Sequence, residues 1–483
     1  MNNLTFLTAG ELAQMISQRQ VSAAEVVDAH LAQIARHNPA LNAIVTLDEI
    51  HARERARQAD EALARGESWG ALHGVPVTIK DAFETAGLRT TSGYKPWSNY
   101  VPQSDAPAVA RLREAGAIIL GKTNLPALAD GGQTVNAIFG RTNNPWNLDC
   151  TPGGSTGGGA AAVAAGLSPL ELGSDISSSI RAPAHFCGIY GLKPTSGRVS
   201  IRGHRASARP LHLPKEWMGL LQLPCAGPLA RSVADLRLAL TVLAEPGTPP
   251  LETVPRKSPR DLRIAWTDEM GTLPISADTR SALQTLAYKL AEAHATVERR
   301  VAPNFDYAAT WELAGEALAT INTLLQPTMT QMLRRIGSPF LSLRTPPHPL
   351  MRGFVRGMGV RPARVTNVLA RREGLIDQIE KFFDDWDVWI APAFPRPAFP
   401  HHALHGRIDI DGEIISEDFA AVMSNVIFNF SGHPCVVVPI GFSRDGLPIG
   451  AQIVGRRWGE MGLLNVAEQV SEIAGAYRRP PGF

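Results

Sequence analysis

Three short segments of this 483-residue chain carry side chains whose types and spacing could do chemistry. One is Thr151-Pro152-Gly153-Gly154-Ser155-Thr156-Gly157-Gly158-Gly159, which runs into the small residues Ala160 to Ala165. A glycine-rich turn feeding a helix of small residues lets backbone approach backbone and aims free N–H groups at whatever lies over the helix start. Stabilising an anion is the natural use of such a turn. A second segment lies further along the chain: Gly173-Ser174-Asp175-Ile176-Ser177-Ser178-Ser179-Ile180-Arg181. The third is Lys80-Asp81, which ends the burst Gly74-Val75-Pro76-Val77-Thr78-Ile79 and so places a lysine at the mouth of a strand. Singly, each has a plain structural reading: a helix-packing turn, a solvated loop, a surface charge.

Several other motifs fail on their context. The glycine turn does not end in Gly-Lys-Ser/Thr as a phosphate loop does, and no apolar strand leads into it as a dinucleotide site requires. Gly153 to Gly157 satisfies G-x-S-x-G, but the approach from Asn143 to Cys150 is loop-like where a nucleophile elbow needs a strand. Ser92 to Lys95 fits S-x-x-K, yet no S-D-N triplet occurs and Lys122-Thr123-Asn124 misses K-T-G. Cys150, Cys187, Cys225 and Cys435 lie far apart, with no C-x-x-C and no histidine at zinc-ligand spacing, so neither a disulfide framework nor a metal cluster is expected.

Taken together in their order along the chain, Lys80-Asp81 first, then the glycine turn, then the serine turn, the three segments resemble the amidase signature family. Its pattern is a lysine after G-[IV]-P-x-x-[IV]-K-D, then G-G-S-S-G-G, then a nucleophile serine in D-x-G-G-S-I-R. Phe186-Cys187-Gly188, Gly191 to Thr195, Gly227 to Val233 and Gly446 to Gly450 before Gln452 agree further, and the resemblance runs from about Leu4 to Ala474. It implies an α/β fold: a large mixed central β-sheet flanked by helices on both faces, in a single large domain with a helical insertion. It implies that Ser179 is the nucleophile, that Ser155 is a bridging serine held through a cis peptide bond, that Lys80 is the base, and that no cofactor or metal is used. Lys80 would draw a proton from Ser155, and Ser155 from Ser179, whose oxygen attacks an amide carbonyl to give an acyl-enzyme. Backbone N–H groups of Ile176, Ser177, Ser178 and Ser179 would meet the oxyanion. Ser174 and Asp175 would order the turn and Arg181 would anchor it by a salt link. His185, beside the turn, is expected to be a packed structural residue. A free lysine titrates near pH ~10.4, so burial must pull Lys80 down by several units, and the apolar approach Val75 to Ile79 suits that.

The chain departs from the pattern in two places. Thr156 stands where the family has the second serine, which preserves a hydroxyl. Ser177 and Ser178 replace the two glycines ahead of the nucleophile. If the turn needs positive φ there, serine costs more than glycine, and two β-carbons would narrow the approach to the oxyanion. This puts rate and substrate shape in question, but not the fold.

The elements that must position these residues follow from periodicity. Leu12, Ile16, Val26, Val27, Leu31 and Ile34 recur at helical spacing with Thr8 and Ser22 placed as caps, which predicts an N-terminal helical layer over residues 1–66. Bursts at Val75–Ile79 and Ala117–Leu120 alternate with helix-like Ala106–Ala115, Ser232–Leu243 and Thr279–His294. Strands are expected again at Leu262–Trp266, Val388–Ile390, Val436–Val438 and Gln452–Val454. An α/β core of residues 67–310 and 385–483 follows, with residues 311–384 a helical insertion at the substrate pocket. Ala317 to Arg372 holds nine arginines and no acidic residue. That charge fits an anionic substrate or a membrane surface, though an exposed basic helical face is the plainer reading.

Lysine plus arginine at 47 against aspartate plus glutamate at 45 leaves a net charge of +2, which argues against nucleic-acid binding. Met1 to Gln20 lacks a basic n-region, and the uncharged run Cys150–Leu170 is too rich in glycine and proline for lipid, so the expectation is a cytoplasmic protein with no integral membrane segment. Its only partner is then a small-molecule amide or carbamate, with the chain acting as monomer or homodimer. Leu324, Met329, Met332, Phe340, Leu350, Met351, Phe354 and Met358 make the insertion apolar, and with the loop Ile201–Trp217 they would shape a pocket for aryl amides, carbamates (urethanes) or esters. In character this is nearest to aryl acylamidases and urethane-cleaving amidases. Two alternatives stand beside it: the glutaminase subunit of a tRNA-dependent amidotransferase, and a non-catalytic binding module of the same fold.

Overall fold

Every side chain of Pro76–Lys80 and of Ile118–Thr123 is buried, as near-continuous apolar runs require in a sheet covered on both faces. In the computed structural model, which describes residues 4–205, 223–324, 329, 332–333, 348–359, 361–475 and 477–483, these two strands lie side by side in an 11-stranded sheet. Across it the strands run Ile44–Leu47, Ile118–Thr123, Pro76–Lys80, Leu170–Asp175, Cys225–Ala230, Tyr190–Lys193, Cys435–Phe442, Pro448–Val454, Val388–Pro392, Arg263–Trp266 and Thr296–Arg299. Pro76–Lys80 pairs parallel with both neighbours, and the central strands from Leu170–Asp175 to Val388–Pro392 pair antiparallel, so the sheet is mixed.

Alternation along the strands divides the core into two faces. Val77, Ile79, Leu172, Val436 and Val438 pack with the helices Ala9–Ser17, Ala23–Leu41, Glu49–Ala64 and Val233–Leu243. Val437, one residue out of phase with Val436, packs instead with Leu229 and with the helices Gly157–Ala164 and Arg181–Cys187. Lys80 is one residue out of phase with Ile79, so it points to this second face.

Thr8 and Ser22 each form a capping box, with Glu11 and Glu25 respectively. The helices expected around residues 106–115, 232–243 and 279–294 appear as Pro107–Glu114, Val233–Leu243 and Ala277–Glu292. The expectation of a purely helical N-terminal layer needs correction. The strand Ile44–Leu47 leaves it to pair antiparallel with Ile118–Thr123 at the sheet edge. Asn42, at φ 52°, ends the preceding helix, and the β-branched pair after it is too short to break the helical periodicity read from sequence.

In the region expected to be a helical insertion the described residues form the helices Tyr307–Leu324, which starts four residues ahead of the expected boundary, Pro349–Met358 and Pro362–Phe382. The first two cross closely: a Cβ on Gly353 would lie 1.8 Å from the Glu312 carbonyl oxygen, so only glycine fits there. This contact brings the basic stretch against acidic residues just ahead of it. Arg352 and Arg356 pair with Glu312, and Arg364 pairs with Glu316. Arg372 Nε donates to the Phe430 carbonyl at 2.6 Å. Part of the charge is therefore neutralised within the fold. Leu324 and Leu350 join the cluster around Trp311, and Met351, Phe354 and Met358 are half-buried. Met329 and Met332 are exposed, while Phe340 and the loop beyond Arg205 lie outside the described residues. Among the described residues no helix is long and apolar enough to cross a membrane. All four cysteines are free thiols and buried.

Candidate active site

Lys80 closes its strand on the face covered by the helix Gly157–Ala164, every residue of which is buried. That helix lies close to the sheet because its first turn is glycine. A Cβ on Gly159 would come 2.4 Å from the Glu171 carboxyl. The turn ahead of it contains a cis peptide bond between Gly154 and Ser155. The next strand over ends in Ser174 and Asp175, and these three segments converge on the lysine.

Lys80 Nζ lies 2.7 Å from Ser155 Oγ, 3.0 Å from Thr156 Oγ1 and 3.0 Å from Ser174 Oγ. The Thr156 hydroxyl donates to the Ser174 carbonyl at 3.2 Å. Thr156 thus contributes its hydroxyl directly to the lysine, a use that the serine-to-threonine departure preserves. Lys80 is fully buried, and that burial pulls its amine down to about 7 against the opposing fields of Asp175 and Glu171. At neutral pH a large fraction of it is therefore the free base.

Asp175 and Arg181 form a buried ion pair at 2.9 Å. Burial by itself would raise Asp175, but Arg181 and the Ile180 N–H outweigh it and hold the carboxyl at about 2. The Ile180 N–H donates to Asp175 at 3.0 Å, and Asn429 Nδ2 donates to its Oδ1 at 3.0 Å. Arg181 reaches on to the Asn425 carbonyl at 3.0 Å and Gln452 Oε1 at 3.2 Å. The turn between them is fixed at both ends by charge-assisted bonds.

Within that turn neither Ser177 nor Ser178 has a positive φ. The cost feared for serine at these places is absent, because the backbone stays in regions open to any L-residue. Among the described residues the N–H groups of Ile176, Ser177, Ser178 and Ser179 donate to no protein acceptor, which leaves them free for a ligand oxygen. Ser179 is 9% exposed, at the edge of the buried zone. Its carbonyl accepts from the Thr156 N–H at 3.1 Å, which ties the two serine segments together. Lys80 and Ser155 are thus joined directly, whereas no hydrogen bond links Ser155 Oγ to Ser179 Oγ in this conformation.

Three buried groups around the lysine escaped the sequence reading. Glu171, pushed up to about 7 by burial, accepts from Thr123 Oγ1 at 2.6 Å while its second oxygen has no partner. Its one signal was a charge between Leu170 and Leu172. Lys122 donates to the Phe83 carbonyl at 2.6 Å and Thr90 Oγ1 at 2.9 Å, with Asp81 at 3.6 Å; burial lowers it to about 8 and raises Asp81. His204 Nε2 sits 2.9 Å from Ser174 Oγ, and nothing in the local pattern of its loop marked it. His185 is packed as expected, its ring nitrogens 3.0 Å from the carbonyls of Gly450 and Arg396.

A family model described as Amidase matches residues 25–464. The chain is similar to a glutamyl-tRNA(Gln) amidotransferase subunit from Roseiflexus castenholzii, 35% identical over 511 residues that cover 100% of this chain and 98% of that protein. Two solved structures also resemble it. One, an inhibitor-bound form of a vestigial protein complex described as revealing the evolutionary origins of an s-triazine catabolic enzyme, has a TM-score of 0.79 at 29% identity, covering 98% of this chain and 100% of that one. The other, a bacterial aryl acylamidase of the amidase signature family, has a TM-score of 0.79 at 26% identity, covering 97% and 96%.

Proposed function

The chain belongs to the amidase family, whose members cleave carbon–nitrogen bonds, and from that premise we propose that it hydrolyses linear amides through an acyl-enzyme on Ser179. The observation that carries this reading is the 2.7 Å approach of a buried, depressed lysine to Ser155, beside a turn with four unengaged N–H groups. Neutral Lys80 accepts the Ser155 proton, and Ser155 accepts that of Ser179 once the Ser179 hydroxyl rotates into reach, a motion open to a side chain on the ps–ns scale. The Ser179 oxygen then bonds to the carbonyl carbon, and the oxyanion falls to the N–H groups of the turn, each such donor being worth roughly 2.7–4 kcal/mol. The carbon–nitrogen bond breaks as the proton returns along the serines to the leaving nitrogen. Water repeats the sequence on the acyl-enzyme, with Lys80 again the base.

Two substrate classes divide the support. Full-length relatives described as glutamyl-tRNA(Gln) amidotransferase subunits favour the carboxamide of glutamine, with the chain working beside partner proteins. The aryl acylamidase likeness and the apolar insertion favour aryl amides, carbamates or esters. The named relatives support the glutamine reading more strongly. A non-catalytic role fits poorly with a lysine held at about 7 against a hydroxyl.

A hydrolysis panel of glutamine, aliphatic amides, anilides, carbamates and esters on wild type and Ser179→Ala tests both levels. Ser179→Ala should lower turnover by at least ~10³-fold on the substrate that works, and a fluorophosphonate should label Ser179 in the wild type. Unchanged turnover in Ser179→Ala removes the nucleophile. Glutamine as the sole amide cleaved supports the amidotransferase class, and cleavage of anilides without glutamine supports the aryl class.

A further inference from the structure

The hydroxyls around Lys80 accept and donate in one consistent direction. A neutral amine has two N–H donors and one lone pair, and a base for Ser155 must point the lone pair at that hydroxyl. The two N–H groups then need acceptors, and Thr156 Oγ1 and Ser174 Oγ stand at 3.0 Å each. For these oxygens to accept cleanly, their own protons must go elsewhere. The Thr156 proton goes to the Ser174 carbonyl at 3.2 Å. For the Ser174 proton, the group within reach is His204 Nε2, at 2.9 Å, which accepts when the imidazole carries its own proton on Nδ1.

We propose that His204 is a positioning residue for the base: as a neutral imidazole it accepts the Ser174 hydroxyl proton through Nε2, which makes Ser174 an acceptor for Lys80 and turns the lysine lone pair toward Ser155. This rests on the reading of Lys80, Ser155 and Ser179 as the reacting chain. The setting suits the role. His204 is 1% exposed, and its ring meets Phe83 edge-on with centroids 4.9 Å apart. Phe83 and His204 share a β-bridge, and the next residue, Arg205, donates its N–H to the Ala82 carbonyl at 2.7 Å, so the ring is held against the segment that follows Lys80. Burial, and secondarily the Lys80 charge, lower the imidazole to about 3, so it remains neutral throughout the working range, with Nε2 an acceptor in the tautomer protonated on Nδ1. Asp175 and Glu171 face Lys80, and Lys122 with its partner Asp81 lies beyond Glu171; none of them takes the Ser174 proton.

His204→Phe keeps an aromatic ring against Phe83 and removes the acceptor. The Ser174 proton is then free to turn onto the Lys80 lone pair and compete with Ser155. The expected result is a fall in kcat of about tenfold or more at nearly constant KM. Donation to the neutral amine also favours that form, so the rising limb of the pH profile should move down by roughly half a unit to one unit. His204→Gln, which offers an amide oxygen in place of Nε2, should recover most of the loss. A double-mutant cycle with Ser174→Ala covers reduced stability, because once Ser174 is gone His204→Phe should cost no further kcat. A His204→Phe enzyme with wild-type kcat and pH profile, or full additivity with Ser174→Ala, overturns the proposal. Ser179→Ala, run alongside, separates the two levels: activity surviving that change sinks the acyl-enzyme reading itself, whereas its loss together with an indifferent His204→Phe sinks only the positioning role.

Discussion

In the proposed mechanism Lys80 must be uncharged to act, and burial pulls its amine down to about 7. At about pH 6 roughly one-tenth of it is neutral and at about pH 8 roughly nine-tenths, so kcat/KM should rise about tenfold across that interval and flatten above it. A lysine at its ordinary ~10.4 would be less than ~0.1% neutral at pH 7, so the burial of this one amine supplies a factor of about 10³ in active enzyme. Lys80→Met fills similar volume without a proton acceptor. It should lower kcat/KM by ~10²–10⁴ and abolish the rising limb. Stability gives an independent readout. A lysine whose folded pKa lies below its unfolded one makes charging unfavourable in the folded state, by roughly 4–5 kcal/mol for a shift of this size. That cost is fully present below about pH 7, where both states are charged, and fades as pH rises toward ~10, because the unfolded state then binds more protons than the folded one. Lys80→Met lacks this term. Its stability relative to wild type should therefore be most favourable near neutral pH and fall as pH rises, apart from a constant loss of about 1 kcal/mol for each hydroxyl left without its partner. Rate profiles and urea unfolding at a series of pH values read both effects. A rate that rises only above about pH 9, or a Lys80→Met enzyme with wild-type turnover, refutes the reasoning.

Asp175→Asn leaves Arg181 buried without its counter-charge and should cost about 3–5 kcal/mol by urea unfolding; a loss under about 1 kcal/mol would show that Asn429 and Gln452 carry the turn instead. Because the folded Asp175 sits at about 2, below its unfolded value, its stabilising effect is present above pH ~4 and is lost as pH falls toward 2. Acid unfolding of Asp175→Asn should lack that component. Ser177→Gly and Ser178→Gly, separately, relieve no strain because neither residue has positive φ, so each should lose up to ~1 kcal/mol through a freer unfolded chain and keep kcat within severalfold. A tenfold rate gain in either would show that the serine β-carbons obstruct the oxyanion site.

Much of the site was legible as residue types on recognisable elements. Val75 to Ile79 marked a buried strand with a lysine at its end, and the glycine and serine turns marked the two hydroxyl segments. Two worries raised by the sequence were decided by geometry. Ser177 and Ser178 carry no positive-φ cost because of backbone angles that no pattern encodes, and part of the charge of the arginine-rich stretch is quenched by Glu312 and Glu316 because Gly353 lets two helices touch. Ile44–Leu47 was lost among helices because four residues are too few to establish a period of two. His204 was invisible for a different reason: its meaning lies in one hydrogen bond to a residue thirty positions away.

The order of elements along the chain and the identity of the amine and hydroxyls that converge are properties of the sequence, since periodicity and motif are local. Protonation and hydrogen-bond direction are not. Lys80 is depressed to a form that can serve as the proposed base only when distant segments remove its water together, and its hydrogen bonds are set by Thr156 and Ser174, the latter in turn held by His204. Desolvation and hydrogen-bond polarity are sums over neighbours in space, and only the folded chain sets those neighbours.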